Sequence, residues 1–169
     1  RERSRSFDLI VEEARQLVSA GYKEITLLGQ NVNSYNKDLE EKFRFPALLS
    51  AINDIEGDFI IRFMTSHPRD CTKELLETMA KCKKVAKHLH LPVQSGNDRV
   101  LKEMNRHYDR EKYLGLIKYA YELMPELSIT SDIIVGFPGE TYEEFCDTLS
   151  LLKEVNYTSL FTFIFSPRP

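Results

Sequence analysis

The chain has 169 residues, 42% of them hydrophobic and 29% charged, with a formal net charge of −3. That supplies one compact domain with a buried core; it excludes wholesale disorder and a basic nucleic-acid footprint spread over the whole surface, though not a local patch. No apolar run reaches bilayer length and no secretory signal opens the chain, so no membrane partner is expected, and Arg1 in place of Met suggests a piece of a longer product.

Phe7, Ile10, Val11, Ala14, Leu17 and Val18 recur at helical spacing, and Gly21 supplies a C-terminal stop. A short apolar run, Ile25 to Leu28, reads as a strand ended by Gly29. The polar stretch from Asn36 to Lys42 reads as an exposed loop, followed by a helix over Phe45–Ile55 and a strand over Phe59–Met64. Thr72 can cap a third helix carrying Leu75, Leu76 and Met79 on one stripe, which leads to a strand from His88 to Val93.

From Asp98 to Met124 the pattern is helical in two pieces, broken near His107 to Asp109. A strand over Ile129–Val135 then meets the turn Gly136-Phe-Pro-Gly139. Thr141 and Glu144 have the spacing of a capping box for a helix carrying Phe145, Leu149 and Leu152. The last strand runs from Leu160 to Phe165.

Helix and strand thus alternate five times, with strands roughly 30–40 residues apart, as right-handed crossover units require. Strands covered on both faces by helices are apolar throughout. The expected class is α/β, with five parallel strands and the helices outside. Five strands are too few to close an eight-stranded barrel, so an open-sided partial barrel is expected, with a doubly wound sheet as the alternative. The opening helix reads as the crossover from a strand upstream.

In such folds ligands meet the C-terminal ends of the strands. Those ends carry Gln30, Asn31 and Asn33; Ser66 and His67; Gln94 and Ser95; Asp132 with Gly136; and Ser166 with Arg168. Uncharged hydrogen-bonding groups predominate, which suits a polar organic ligand, although ordinary loops and caps use the same residue types. The Gly136–Gly139 turn lacks the spacing of a dinucleotide or phosphate loop. His88 and His90 share a strand face without a third metal ligand beside them, and Ser66, His67 and Asp132 lack a nucleophile elbow. The basic opening Arg1, Arg3 and Arg5 can touch phosphate or simply solvate a helix entry. Cys71, Cys82 and Cys146 form no CxxC pair, which argues against a disulfide or zinc scaffold and fits a reducing, cytoplasmic setting.

Four segments carry a resemblance: Leu27–Tyr35 (LLGQNVNSY), Arg62–Pro68 (RFMTSHP), His88–Gly96 (HLHLPVQSG) and Ser131–Thr141 (SDIIVGFPGET), with Arg99–Arg106 and Phe165–Arg168 in support. Together they resemble the radical S-adenosylmethionine (SAM) methylthiotransferases, end to end and in order. Ser66-His67-Pro68 and Gln30-Asn31-Val32-Asn33 resemble most closely the MiaB-type branch, which methylthiolates C2 of N6-isopentenyladenosine beside the tRNA anticodon. Sister branches act on threonylcarbamoyladenosine in tRNA or on an aspartate of a ribosomal protein.

The resemblance implies a radical SAM core over residues 1–169 that lacks its first strand and cluster loop. An N-terminal auxiliary-cluster domain and a C-terminal tRNA-binding β-barrel domain would lie outside it. The implied cofactors are SAM and two 4Fe–4S clusters, with every cluster ligand outside this chain. A radical generated from SAM opens the target C–H bond, sulfur is inserted, and a second SAM gives the methyl group. The implied partners are tRNA, an electron donor and a sulfur source, and the isolated segment is expected to be an inert folded core. Gln30 and Asn31 would receive the methionine end of SAM, Gln94 and Ser95 its ribose or carboxylate, and Ile134 and Gly136 its adenine. Ser66, His67 and Asp132 would complete the rim without an assigned role. An unrelated barrel lyase acting on a small metabolite is the non-family alternative.

Overall fold

The computed structural model describes residues 3–36, 43–64 and 66–167. All but Asn36 of the expected polar loop lies outside these, as do the start of the basic opening and the closing Arg168. The chain divides into two compact units, one running to Ser66 and including Asp70–His88, the other comprising His67–Arg69 and everything from Leu89 onward.

In the first unit, α1 (Phe7–Ser19) ends as its Gly21 predicts. Gly21 takes φ +90°, and the Gly21 and Tyr22 amides donate back to the Val18 and Leu17 carbonyls. The strands β1 (Glu24–Leu27) and β2 (Ile60–Phe63) pair in parallel, with Glu24 opposite Ile60 and Leu27 opposite Phe63. Between them α2 (Phe45–Asn53) begins with proline in its first turn, where a missing N–H costs nothing. In α3 (Lys73–Lys81), Thr72 Oγ1 accepts from the Leu75 amide, the cap that its position predicts. Leu49, Ile52, Ile61, Leu75, Leu76 and Met79 are fully buried, and the Phe45 and Phe63 rings meet edge to face at 5.1 Å.

The second unit is built on β3 (His88–His90, whose first residue falls in the first unit), β4 (Ser128–Val135) and β5 (Ser159–Ile164), in that spatial order. Asp132 lies opposite Phe161 and Ile134 opposite Phe163 in the parallel β4–β5 pair. The expected break divides α4 (Asp98–Glu103) from α5 (Arg110–Leu123). The capping box opens α6 (Tyr142–Val155): Thr141 Oγ1 accepts from the Glu144 amide, and the Glu144 carboxylate accepts from the Thr141 amide. Ile129, Ser131 and Ile133 are buried on one face of β4, whereas Asp132 and Ile134 on the other are half-buried.

Three features differ from expectation. The five parallel strands hydrogen-bond as two sheets, β1–β2 and β3–β4–β5, because beyond β2 the ladder is reduced to a bridge between Ile61 and Val85. β3 stops at His90 rather than Val93: Pro92 has no N–H to donate, and Gln94 adopts φ +73°. β5 is apolar but exposed, with Phe161 and Phe163 each 53% accessible, since apolar composition alone does not provide a covering layer.

Gly96 packs against α6 so closely that a Cβ there would lie 2.6 Å from Thr148 Cα and 2.8 Å from the Asp147 carbonyl. Neither is a movable side-chain end. Gly96→Ala is therefore expected to destabilise the full-length protein by about 1–3 kcal/mol, read as a lowered thermal midpoint. An unchanged midpoint would mean that α6 moves aside freely.

Arg99 joins the start of α4 to the start of α6, donating to both Glu144 oxygens at 2.5 and 2.6 Å and to the Gly139 carbonyl at 2.7 Å. This fork, with help from the Thr141 amide, holds the Glu144 carboxyl down at about 2 from an ordinary 4.5. A depressed folded-state pKa stabilises above the ordinary value and is lost as pH falls through the lower one. Glu144→Gln should thus show a shallower loss of stability than wild type as pH falls from 4.5 to about 2. The difference should shrink in high salt, because the pair lies at the surface. Parallel acid-unfolding curves would contradict it.

Candidate functional site

In the first unit the chain leaves β1 through Gly29 and Gln30, both exposed, and turns into a single 3₁₀ turn, Val32–Ser34. Asn31 Nδ2 donates to Asp70 Oδ2 at 2.6 Å, while Asn31 Oδ1 is buried without a hydrogen-bond partner. Asn33 is buried within the turn. The turn is tied to the N-terminal strap: the Tyr35 hydroxyl donates to the Arg5 carbonyl at 2.8 Å and the Asn36 amide to Ser4 Oγ at 2.9 Å. Arg5 itself pairs with Glu13 at 2.6 Å, so its charge is met within the fold. Along β1 opens a cleft of about 810 Å³, walled by Ala14, Leu17, Ile25, Leu27, Val32 and Leu48. Ser66, at the end of the chain leaving β2, is buried, and its Oγ has no partner.

In the second unit Gln94 is the most conspicuous residue. It is 6% exposed, its Oε1 is buried without a partner, and its φ of +73° is one that side chains with a Cβ disfavour. Its backbone is fixed on both sides: the Gln94 amide donates to the Asp132 carbonyl and the Gln94 carbonyl accepts from the Ile134 amide, both at 2.9 Å. A strained backbone holding an unsatisfied buried amide is the pattern of a binding group waiting for its ligand.

The neighbouring Ser95 behaves differently. It is fully buried, its Oγ lies 3.3 Å from Thr148 Oγ1, and it accepts from the Asn97 amide at 3.2 Å. The structure turns it toward α6 rather than toward a ligand. Gly136 likewise owes its identity to the backbone. It takes φ +70°, a Cβ there would meet nothing within 4 Å, and its amide donates to Glu140 Oε2 at 2.6 Å. Asp132 and Ile134 share one face of β4, where Asp132 Oδ1 lies 3.5 Å from His90 Nε2. His90 Nδ1 lies 2.9 Å from Thr130 Oγ1, so His90 belongs to this hydrogen-bonded row.

His67 joins a group that sequence reasoning did not assemble. Its Nδ1 accepts from the Arg69 amide at 3.2 Å, and its Nε2 lies 3.4 Å from Arg106 Nη1. Arg106 Nε is a buried donor without a partner, and a guanidinium suits an oxygen anion. The Tyr108 ring meets His67 edge to face at 5.7 Å, and its hydroxyl donates to the Val93 carbonyl at 2.9 Å. The helix break at 107–109 was the legible sign of this loop, but nothing in the spacing pointed to Arg106 or Tyr108.

The unpartnered Gln94 Oε1 and Arg106 Nε fit a ligand carrying hydroxyls and a carboxylate, which SAM does. An iron–sulfur cluster does not fit the residues present. Burial pushes the Cys71 thiol up to about 12 and also raises that of Cys82, and the described residues contain no cluster of three metal-ligating side chains. No helix among the described residues is long and apolar enough to cross a membrane.

A family description, the radical SAM superfamily, matches residues 1–152. The chain belongs to that superfamily. Over 168 residues, 99% of its length, it is 57% identical to the tRNA-2-methylthio-N(6)-dimethylallyladenosine synthases of Clostridium botulinum (strain Okra / Type B1) and Clostridium tetani. It is 56% identical to the same synthase of Clostridium perfringens (strain SM101). The chain spans 37–38% of the length of these curated relatives. Among solved structures it is similar to coproporphyrinogen III oxidase of Escherichia coli, a radical SAM enzyme, with TM-score 0.68 and 22% identity, covering 96% of this chain and 38% of that one. It also resembles the cobalamin-dependent SAM radical enzyme OxsB, with TM-score 0.70 and 13% identity, over 87% of this chain and 22% of that one. At these identities the two structures bear on the fold alone.

Proposed function

We propose that the chain is the central part of a tRNA methylthiotransferase that acts at C2 of an N6-isopentenylated adenosine, and that its strand ends bind SAM. The observation that carries the reading is the 57% identity maintained over 99% of the chain to synthases named for that product. The fold is read as the open-sided partial barrel of radical SAM type. The apolar cleft along β1 supports a further strand of the parent protein pairing there.

When bound, SAM supplies a radical for opening the C–H bond and a methyl group for the inserted sulfur. The protein's share is orientation. Gln94 accepts a hydrogen bond from a ligand hydroxyl through its otherwise unsatisfied Oε1. Asp132 accepts from hydroxyls on the same face of β4, and Ile134 presents an apolar wall to a flat base. The Arg106 guanidinium, beside His67, holds a carboxylate. Gln30, Asn31 and Ser66 keep the assignment drawn from resemblance, with Asn31 held by Asp70 so that its carbonyl remains free to accept. Ser95 supports this surface through the bonds of its Oγ to Thr148 and the Asn97 amide, and Gly136 through the turn that it shapes.

The parent's two 4Fe–4S clusters take their ligands from outside this chain, and the segment alone is inactive. tRNA, an electron donor and a sulfur source are the partners, in the cytoplasm. The net charge of −3 is compatible with a nucleic-acid substrate whose phosphates are held by another domain.

Deleting the full-length gene and then restoring it, with mass spectrometry of tRNA nucleosides, tests the reaction. The methylthio-isopentenyl nucleoside should vanish and return. Loss of the threonylcarbamoyl derivative instead would keep the family and change the branch, and no change in either would remove tRNA as substrate. At the residue level, Gln94→Ala in the cluster-loaded full-length enzyme should weaken SAM binding by about tenfold, as loss of one hydrogen bond with a desolvated partner predicts. Wild-type affinity measured by equilibrium dialysis would refute the assignment.

A further inference from the structure

We propose that Tyr108 is a positioning residue for SAM, holding Gln94 in its strained, ligand-ready conformation and bracing His67 beside Arg106. The proposal rests on the reading above, in which Gln94 and Arg106 contact SAM.

The argument starts from backbone accounting. Beyond His90 the ladder to β4 is interrupted: the Leu91 amide and Gln94 still bond to its backbone, and the groups between them must find other partners. The Leu91 amide donates to the Thr130 carbonyl at 2.8 Å and the Val93 amide to Ser131 Oγ at 2.9 Å. The Leu91 carbonyl accepts from the Tyr113 hydroxyl at 2.9 Å and from Ser131 Oγ at 3.0 Å. The two carbonyls just before Gln94 depend on one atom: the Tyr108 hydroxyl donates to Val93 at 2.9 Å and lies 3.3 Å from the Pro92 carbonyl oxygen. Gln94 is where φ turns positive, a conformation that persists only when its surroundings over-determine it. Burial pushes the Tyr108 phenol up to about 12, so it stays a donor at every physiological pH.

The same ring meets His67 edge to face at 5.7 Å with the planes at 75°. Arg106 sits two residues before Tyr108, in a linker where Asn105 and His107 also take positive φ. One short connection between α4 and α5 therefore brings the guanidinium, the support for His67 and the clamp on Gln94.

Tyr108→Phe removes the hydroxyl and keeps the ring. In the cluster-loaded full-length enzyme, equilibrium dialysis with labelled SAM should show about tenfold weaker binding. In a Gln94→Ala background the same change should cost less than about twofold, because the group being positioned is gone. Ser50→Ala is the control: its hydroxyl donates to the Pro46 carbonyl within α2 at 3.1 Å, apart from every group named above, and it should leave SAM affinity unaltered.

Wild-type affinity in Tyr108→Phe, or a loss that adds in full to that of Gln94→Ala, would overturn the proposal. If Gln94→Ala itself binds normally, the reading beneath it falls instead. Should Tyr108→Phe not fold, hydrogen exchange of the wild-type enzyme decides. Amides 93–96 should already be protected without SAM and change little when it is added, whereas strong protection only with SAM would show that the loop is not held in advance.

Discussion

The structure depends on how the chain satisfies its backbone after β3. A parallel strand that simply continued would present alternate side chains to the two faces of the sheet and give no polar group special access to a ligand. Here Pro92 removes a donor, Gln94 turns to φ +73°, and three hydroxyls, on Tyr108, Tyr113 and Ser131, take over the carbonyls and the amide that the ladder abandons. The arrangement leaves no protein partner for Gln94 Oε1. The backbone groups of residues 91–94 are paired, which leaves Gln94 Oε1 as the unmet polar atom of this stretch.

Close packing behind the strand end makes that geometry rigid. Gly96 lets α6 approach, its amide donates to Thr148 Oγ1 at 2.9 Å, and Ser95 occupies the remaining polar surface of Thr148. Arg99 then ties the beginning of α4 to the beginning of α6 across the Gly139 turn. Glu140 closes the same turn by accepting from the Gly136 and Phe137 amides at 2.6 and 3.3 Å. The motif segments noticed in sequence, QSG and VGFPGE, therefore contain the fasteners that tie the strand ends to α6 and to the Gly139 turn.

What could be read in the sequence was what is encoded locally. The Gly21 stop, the Thr72 cap and the Thr141–Glu144 box each follow from a few neighbouring residues, and each is found. The alternation of helices with parallel strands was legible for the same reason. The exposure of β5 was not: Leu160, Phe161 and Phe163 are as apolar as any core strand, but burial is set by what lies across from a strand, which its own residues do not specify. Arg106 and Tyr108 were missed because their partners, His67 and Val93, lie 39 and 15 residues away in the chain. Only the helix break between α4 and α5 hinted that this loop carried more than a connection.

Gln94 and Ser95 show why residue type alone could not settle the site. Both are short-range hydrogen-bonding residues at a strand end, and sequence treats them alike. The positive φ at Gln94 settles which of them remains unpaired: Ser95 is committed to Thr148 and the Asn97 amide, while Gln94 keeps an acceptor that nothing in the protein uses. Gly136 takes φ +70° in the turn that follows β4. Its conformation shapes a turn, and the space where its Cβ would stand is open. A site of this kind is specified by which polar atoms the fold declines to satisfy, and that can be counted only once the rest have been paired.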